Sequence, residues 1–168
     1  MASLSKDHKE RLSSIRMLIL DVDGVMTDGR IWWIEGTGWT RAFNVKDGYG
    51  LKLLMKEGFD IALISGGDSK SVRERAQFLG IKHVYLGDEN KIVALEKIMK
   101  ETGLKHDQLA FVGDDLFDMP VLKVVGFAAT VPHAVPEVKE VVHYITVEAG
   151  GFGAVREIAD LIRKHAKK

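Results

Sequence analysis

Three apolar runs along the chain each stop at a polar, glycine-bearing turn: Arg16-Met-Leu-Ile-Leu20 before Asp21-Val-Asp-Gly24, Asp60-Ile-Ala-Leu-Ile64 before Ser65-Gly66-Gly67, and Leu109-Ala-Phe-Val112 before Gly113-Asp114-Asp115. A short unbroken apolar run predicts a strand covered on both faces, as in a parallel sheet. Between and after these runs the apolar spacing changes to the helical period, over Gly48–Lys56, Ser69–Leu79, Glu89–Thr102 and Asp115–Val124. Shorter strands are expected at His83–Leu86, Phe127–Thr130 and His143–Thr146. A terminal helix from about Gly153 to His165 places Val155, Ile158, Ala159 and Ile162 on one face. Alternation of this kind predicts an α/β fold: a single Rossmann-like three-layer domain over 1–168 with a mainly parallel sheet. Ligands of such sheets sit beyond the carboxyl ends of the strands.

One segment breaks the rhythm. Arg30-Ile-Trp-Trp-Ile-Glu35, Gly36-Thr37-Gly38 and Trp39-Thr-Arg-Ala-Phe-Asn44 predict a β-hairpin at about 30–44, inserted after the first strand and holding all three tryptophans. Such a hairpin is too small to bury its own apolar surface. Three dispositions follow: it folds over a site, packs on another subunit, or covers the edge of its own domain.

Composition narrows the function. Lys plus Arg and Asp plus Glu both total 24, so the formal net charge is zero and no global field favours nucleic acid or an anionic membrane. Absence of cysteine removes disulfides, thiolate catalysis and thiolate zinc sites. Met1 to Arg16 holds no apolar stretch of signal-peptide length, and no run reaches the ~18 apolar residues of a membrane helix. The expectation is a cytoplasmic protein without nucleic-acid or membrane partners.

The turns after the apolar runs carry the candidate chemistry. In extended geometry Asp21 and Asp23 point along one face, and like charges so close need a cation or a shared proton. A hard, oxygen-coordinated ion such as Mg²⁺ suits Asp21 with Asp114. Asp21 is then placed as nucleophile, and Asp23 to protonate a leaving oxygen and afterwards activate water. Ser65 offers a hydroxyl to a phosphoryl oxygen, the Gly66-Gly67 backbone offers N–H groups, and Lys91 at a helix start offers positive charge. Asp115 or Asp118 would hold water or Lys91 in position. Taken singly, these segments also read as a self-capping turn, a loop serine, a solvated lysine and a helix cap; their joint order along the chain favours a metal-assisted phosphate site.

Asp21–Asp23, Ser65, Lys91 and Gly113-Asp-Asp-x-x-Asp118 resemble the haloacid dehalogenase superfamily of phosphatases. Asp21-Val-Asp-Gly-Val-Met-Thr-Asp-Gly29, Phe43-Asn-Val-Lys-Asp-Gly-Tyr-Gly50, Gly87-x-x-Asn-Lys91 and Gly150-Gly-Phe-Gly-Ala-Val-Arg-Glu157 are similar to its small capless branch, which includes phosphatases of 3-deoxy-D-manno-octulosonate 8-phosphate. The resemblance implies a Mg²⁺-dependent monoester hydrolase working through an aspartyl-phosphate on a phosphorylated 2-keto-3-deoxy sugar acid, toward a cell-envelope sugar. It implies a homotetramer in which the hairpins associate and a neighbour helps close the site. It also implies metal ligation by Asp21, Asp114 and the Asp23 carbonyl, phosphate contacts from Ser65, Gly66 and Lys91, and substrate contacts from Asp23, Asn44, Val45, Lys46, Asp47, Gly48, Lys52 and Arg75.

The chain departs from that branch in three places. Gly67 and Asp68 follow Gly66 where the branch places an arginine, Lys46 and Lys52 stand where arginine is common, and Phe152 replaces an arginine. Lysine gives a point charge where arginine gives a two-toothed fork. The first departure keeps a nonulosonate 9-phosphate as the alternative substrate. Two further readings stay open: a receiver-type phospho-aspartate module, which carries its acidic pair on the first strand, and a non-catalytic accessory module, which has no need of these side chains.

Overall fold

In the computed structural model, which describes residues 4–167, strands β1 (Met17–Leu20), β4 (Asp60–Ser65), β5 (His83–Leu86), β6 (Leu109–Val112), β7 (Phe127–Thr130) and β8 (Tyr144–Ile145) form one six-stranded sheet in the order β5-β4-β1-β6-β7-β8. Every pairing in it is parallel. The hairpin strands β2 (Trp32–Ile34) and β3 (Gly38–Thr40) form a separate antiparallel pair. The ends of the expected single-domain span, residues 1–3 and 168, lie outside the described residues.

Strands β1, β4, β6 and β7 divide their side chains between two cores, because successive residues point to opposite faces. On one face Leu18 and Leu20 of β1 meet Leu51 and Leu54 of α2 (Val45–Lys56) and Val155, Ile158, Ala159 and Ile162 of α7 (Ala154–His165). On the other, Met17 and Ile19 meet Leu95 and Ile98 of α4 (Lys91–Thr102) and Val121 and Leu122 of α5 (Met119–Leu122). With both faces covered, β1 has no exposed position, which is why its sequence shows no polar alternation. Helix α3 (Lys70–Leu79) completes the first layer, ending at Gly80 in the left-handed conformation that favours glycine.

The structure differs from the expected elements in four places. Helix α1 (Lys6–Ser14) and helix α6 (Pro136–Val141) were not predicted; α1 buries only Leu12 in its helical span, and α6 is six residues long. The span Asp115–Val124 is a 3₁₀ turn over Leu116–Asp118 leading into the short α5. The hairpin ladder ends at Thr40, earlier than expected, and its apolar side chains face outward, with Trp33 64% and Trp39 50% exposed. It therefore does not cover the edge of its own sheet.

Candidate active site

Strand register brings the acidic loops together. Leu20 at the end of β1 lies opposite Leu63 of β4 and Val112 of β6, and the Asp21 N–H donates to the Val112 carbonyl at 2.9 Å. Asp21, Ser65 and Asp114 consequently leave three adjacent strands at one edge. Beyond Asp21 the chain does not stay extended: the Met26 N–H donates back to the Val22 carbonyl at 2.9 Å, and Thr27 Oγ1 accepts from the Gly24 and Gly29 N–H groups. Gly24 has φ +90°, and a Cβ there would stand 2.0 Å from Asp114 Oδ2. Only glycine lets the two acidic loops close to this distance.

The turn sends Asp21 and Asp23 to different partners. Lys91 Nζ, on a side chain wholly removed from solvent, donates to Asp21 Oδ1 at 2.6 Å and to Asp118 Oδ1 at 2.5 Å. Asp118 Oδ2 accepts from the N–H groups of Asp114 and Asp115 at 2.8 and 3.2 Å, so this buried carboxylate fixes both the ammonium and the loop. Carboxylate oxygens of Asp21, Asp114 and Asp118 lie within 4.8 Å of one another. In this cluster two buried oxygens, Asp21 Oδ2 and Asp114 Oδ1, have no hydrogen-bond partner among the described residues.

Electrostatics point the same way. Burial, opposed by Lys91 and reinforced by Asp118 and Asp114, pushes the Asp21 carboxyl up to about 8. Burial, then repulsion from Asp118 and Asp115, pushes Asp114 up to about 7. One ammonium is too little positive charge for this cluster, and a hard divalent cation on the two unpartnered oxygens would supply the deficit. The donor set fits such an ion: all oxygen, anionic and preassembled.

Asp23 is held elsewhere. Arg41, just past β3, donates from Nε to Asp23 Oδ1 at 2.5 Å and from Nη2 to Oδ2 at 2.7 Å, and from Nη1 to Ser69 Oγ at 2.7 Å. This two-point pairing keeps the guanidinium charged, first through the Asp23 hydrogen bonds.

A family profile described as haloacid dehalogenase-like hydrolase matches residues 79–157. The 3-deoxy-D-manno-octulosonate 8-phosphate phosphatase KdsC of Yersinia pestis is 42% identical over 159 residues, 95% of this chain and 85% of that protein. The chain belongs to the haloacid dehalogenase-like hydrolases. A crystal structure of the phosphatase from Yersinia pestis superposes with a TM-score of 0.94 at 41% identity, covering 96% of this chain and 88% of that one. A structure of the Moraxella catarrhalis phosphatase in complex with magnesium ion, phosphate ion and a KDO molecule gives a TM-score of 0.93 at 36% identity, covering 97% and 94%.

Within this hydrolase fold, Asp21, Asp23, Ser65, Lys91 and Asp114 gather at one sheet edge, and Asp118 holds Lys91. The expected substrate contacts are more dispersed. Asn44 caps α2 by accepting from the Lys46 N–H and donates from Nδ2 to the Gly151 carbonyl. Asp47 is buried and accepts from the Arg156 N–H at 2.8 Å, with burial raising its carboxyl. Arg75 lies against Gly48 and donates to the Asn44 carbonyl, while Lys52 Nζ sits 4.3 Å over the Phe78 ring. Val45 is exposed, and Gly66 packs on Glu89. Lys46 lines a cavity of ≈ 320 Å³ with Phe152 and Arg156, and Phe152 also lines a second cavity of ≈ 350 Å³ that reaches Asp114 and Gly24. Sequence reading missed Arg41, whose partners lie on distant loops and leave no periodic or motif signal.

Proposed function

We propose that this chain is a Mg²⁺-dependent phosphatase that hydrolyses 3-deoxy-D-manno-octulosonate 8-phosphate through an aspartyl-phosphate on Asp21. The observation that carries the reading is Lys91 bridging Asp21 and Asp118 beside the unpartnered oxygens of Asp21 and Asp114. The magnesium of the Moraxella catarrhalis relative and the octulosonate phosphate named for the Yersinia pestis relative support it. A set of this kind is superfluous in an accessory module. Family membership and the late position of Asp114-Asp115 speak against a receiver.

Asp21 and Asp114, with the Asp23 carbonyl, would hold the ion, which when bound neutralises charge between an anionic ester and an anionic nucleophile. The residues do the rest. An Asp21 oxygen attacks phosphorus, forming the P–O bond to Asp21 as the bond to the sugar oxygen breaks, and Asp23 delivers a proton to that oxygen. Ser65 Oγ and the backbone N–H groups after it bind the phosphoryl oxygens, while Lys91 balances charge on Asp21 and the transferring group. Asp23 then takes a proton from water, which releases phosphate and regenerates Asp21. Lys46, Phe152 and Arg156 border the space offered to the sugar acid.

The exposed hairpin supports a homotetramer built through its tryptophan face, the finer part of the same reading. The catalytic proposal is tested by phosphate release from octulosonate 8-phosphate, a nonulosonate 9-phosphate and glucose 6-phosphate, with and without Mg²⁺. The octulosonate ester is expected to give the highest kcat/KM, Mg²⁺ to be required, and Asp21→Asn to lose at least about a thousandfold. Near-normal turnover by Asp21→Asn overturns the covalent step; preference for the nonulosonate overturns the substrate.

A further inference from the structure

We propose that Arg41 is a positioning residue for the proton-transfer step, fixing the Asp23 carboxylate from the hairpin. The inference rests on the reading of Asp23 as acid and base. Three observations carry it. Both Asp23 oxygens are engaged by one guanidinium at 2.5 and 2.7 Å, a planar two-point contact that sets position and orientation together. The guanidinium is itself anchored: its side chain is 6% exposed, and Nη1 donates to Ser69 Oγ, the N-cap of α3, which also accepts from the Val72 N–H. Finally, Gly67 makes room for it, since a Cβ there would stand 3.2 Å from Arg41 Nη2, 3.6 Å from Asp23 Oδ2 and 3.9 Å from Ser65 Oγ.

The last contact says where Arg41 works. The space before Gly67 is bounded at once by the phosphate-binding hydroxyl, the proton-transfer carboxylate and the arginine. A carboxylate on a turn with two free oxygens samples several orientations, only some of which reach a leaving oxygen. Arg41 removes that freedom, and each Asp23 oxygen held by the fork keeps a second lone pair through which a proton can be exchanged with the leaving oxygen. The hairpin thus contributes to chemistry as well as to the outer surface.

The test uses the full-length protein with Mg²⁺, and 4-nitrophenyl phosphate, phenyl phosphate and octulosonate 8-phosphate as substrates of increasingly poor leaving group. If Arg41 acts through Asp23, Arg41→Gln lowers kcat/KM, which reports the steps up to leaving-group departure, about 10- to 100-fold on octulosonate and phenyl phosphate and much less on 4-nitrophenyl phosphate, and lowers kcat with it. Arg41→Lys, which keeps the charge and loses the fork, falls between Arg41→Gln and the parent on the same pattern. Asp23→Asn combined with Arg41→Gln is no slower than Asp23→Asn alone. Equal loss of kcat/KM on all three esters, a loss that comes from KM with kcat unchanged, or full additivity in the double variant overturns the proposal. Should Arg41→Gln not fold, Arg41→Lys decides by the same leaving-group pattern and by the same cycle with Asp23→Asn. Leaving-group dependence in Asp23→Asn with none in the Arg41 variants sinks the role of Arg41 alone; its absence from Asp23→Asn sinks the underlying reading of Asp23.

Discussion

Lys91 shows how much can depend on one side chain. Its ammonium is buried between the Asp21 and Asp118 carboxyls, so removing it leaves Asp118 away from water without its counter-charge. Lys91→Met is expected to destabilise the Mg²⁺-free protein by about 3–5 kcal/mol, measured by urea unfolding, besides abolishing turnover. Asp21 and Asp114 make the complementary case. Their carboxyls, raised to about 8 and about 7, hold protons in the folded chain at pH values where an unfolded chain has lost them. Stability of the cation-free protein is therefore expected to decline as pH rises from about 4 towards 8, levelling off above. Mg²⁺ displaces those protons and relieves the repulsion, so it should raise the melting temperature more at pH 8 than at pH 5. An equal effect at both would show that these groups do not hold the ion.

Among the elements, the packing of α2 on α7 has a polar lock at its end. Asp47 in the first turn of α2 accepts from the Arg156 N–H near the start of α7. Asp47→Ala leaves that N–H without its partner and is expected to cost about 1–3 kcal/mol in chemical unfolding. Elements were legible in the sequence where burial dictates pattern: β1, β4 and β6 are apolar because both faces are covered, and α7 carries its stripe because one face meets the sheet. Legibility failed where burial is slight. Helix α1 offers Leu12 from its helical span and is otherwise half-buried or exposed, and α6 is too short for a period to emerge. The same limit applies to the site. Asp21, Asp23, Ser65, Lys91 and Asp114 follow strand ends or begin a helix and could be read from that placement; Arg41 means nothing until the hairpin folds back onto the β4 loop.

At the scale of the whole molecule, Trp32, Trp33 and Trp39 project from a hairpin outside the main sheet, on a chain of zero net charge. Large exposed aromatic surface of this kind favours burial against another copy. On the proposed tetramer, Trp33→Glu is expected to shift the sedimenting species toward monomer; a parent protein that sediments as a monomer removes the assembly. The strand order also has a temporal side. Because β1 sits between β4 and β6, the first acidic loop acquires its companions only after most of the polypeptide has been synthesised and those strands have docked. A nascent chain ending before β6 lacks Asp114 and Asp118, and with them the means to orient Lys91. Turnover would then begin abruptly at completion of the sheet, making catalysis a sharp reporter of folding for this chain.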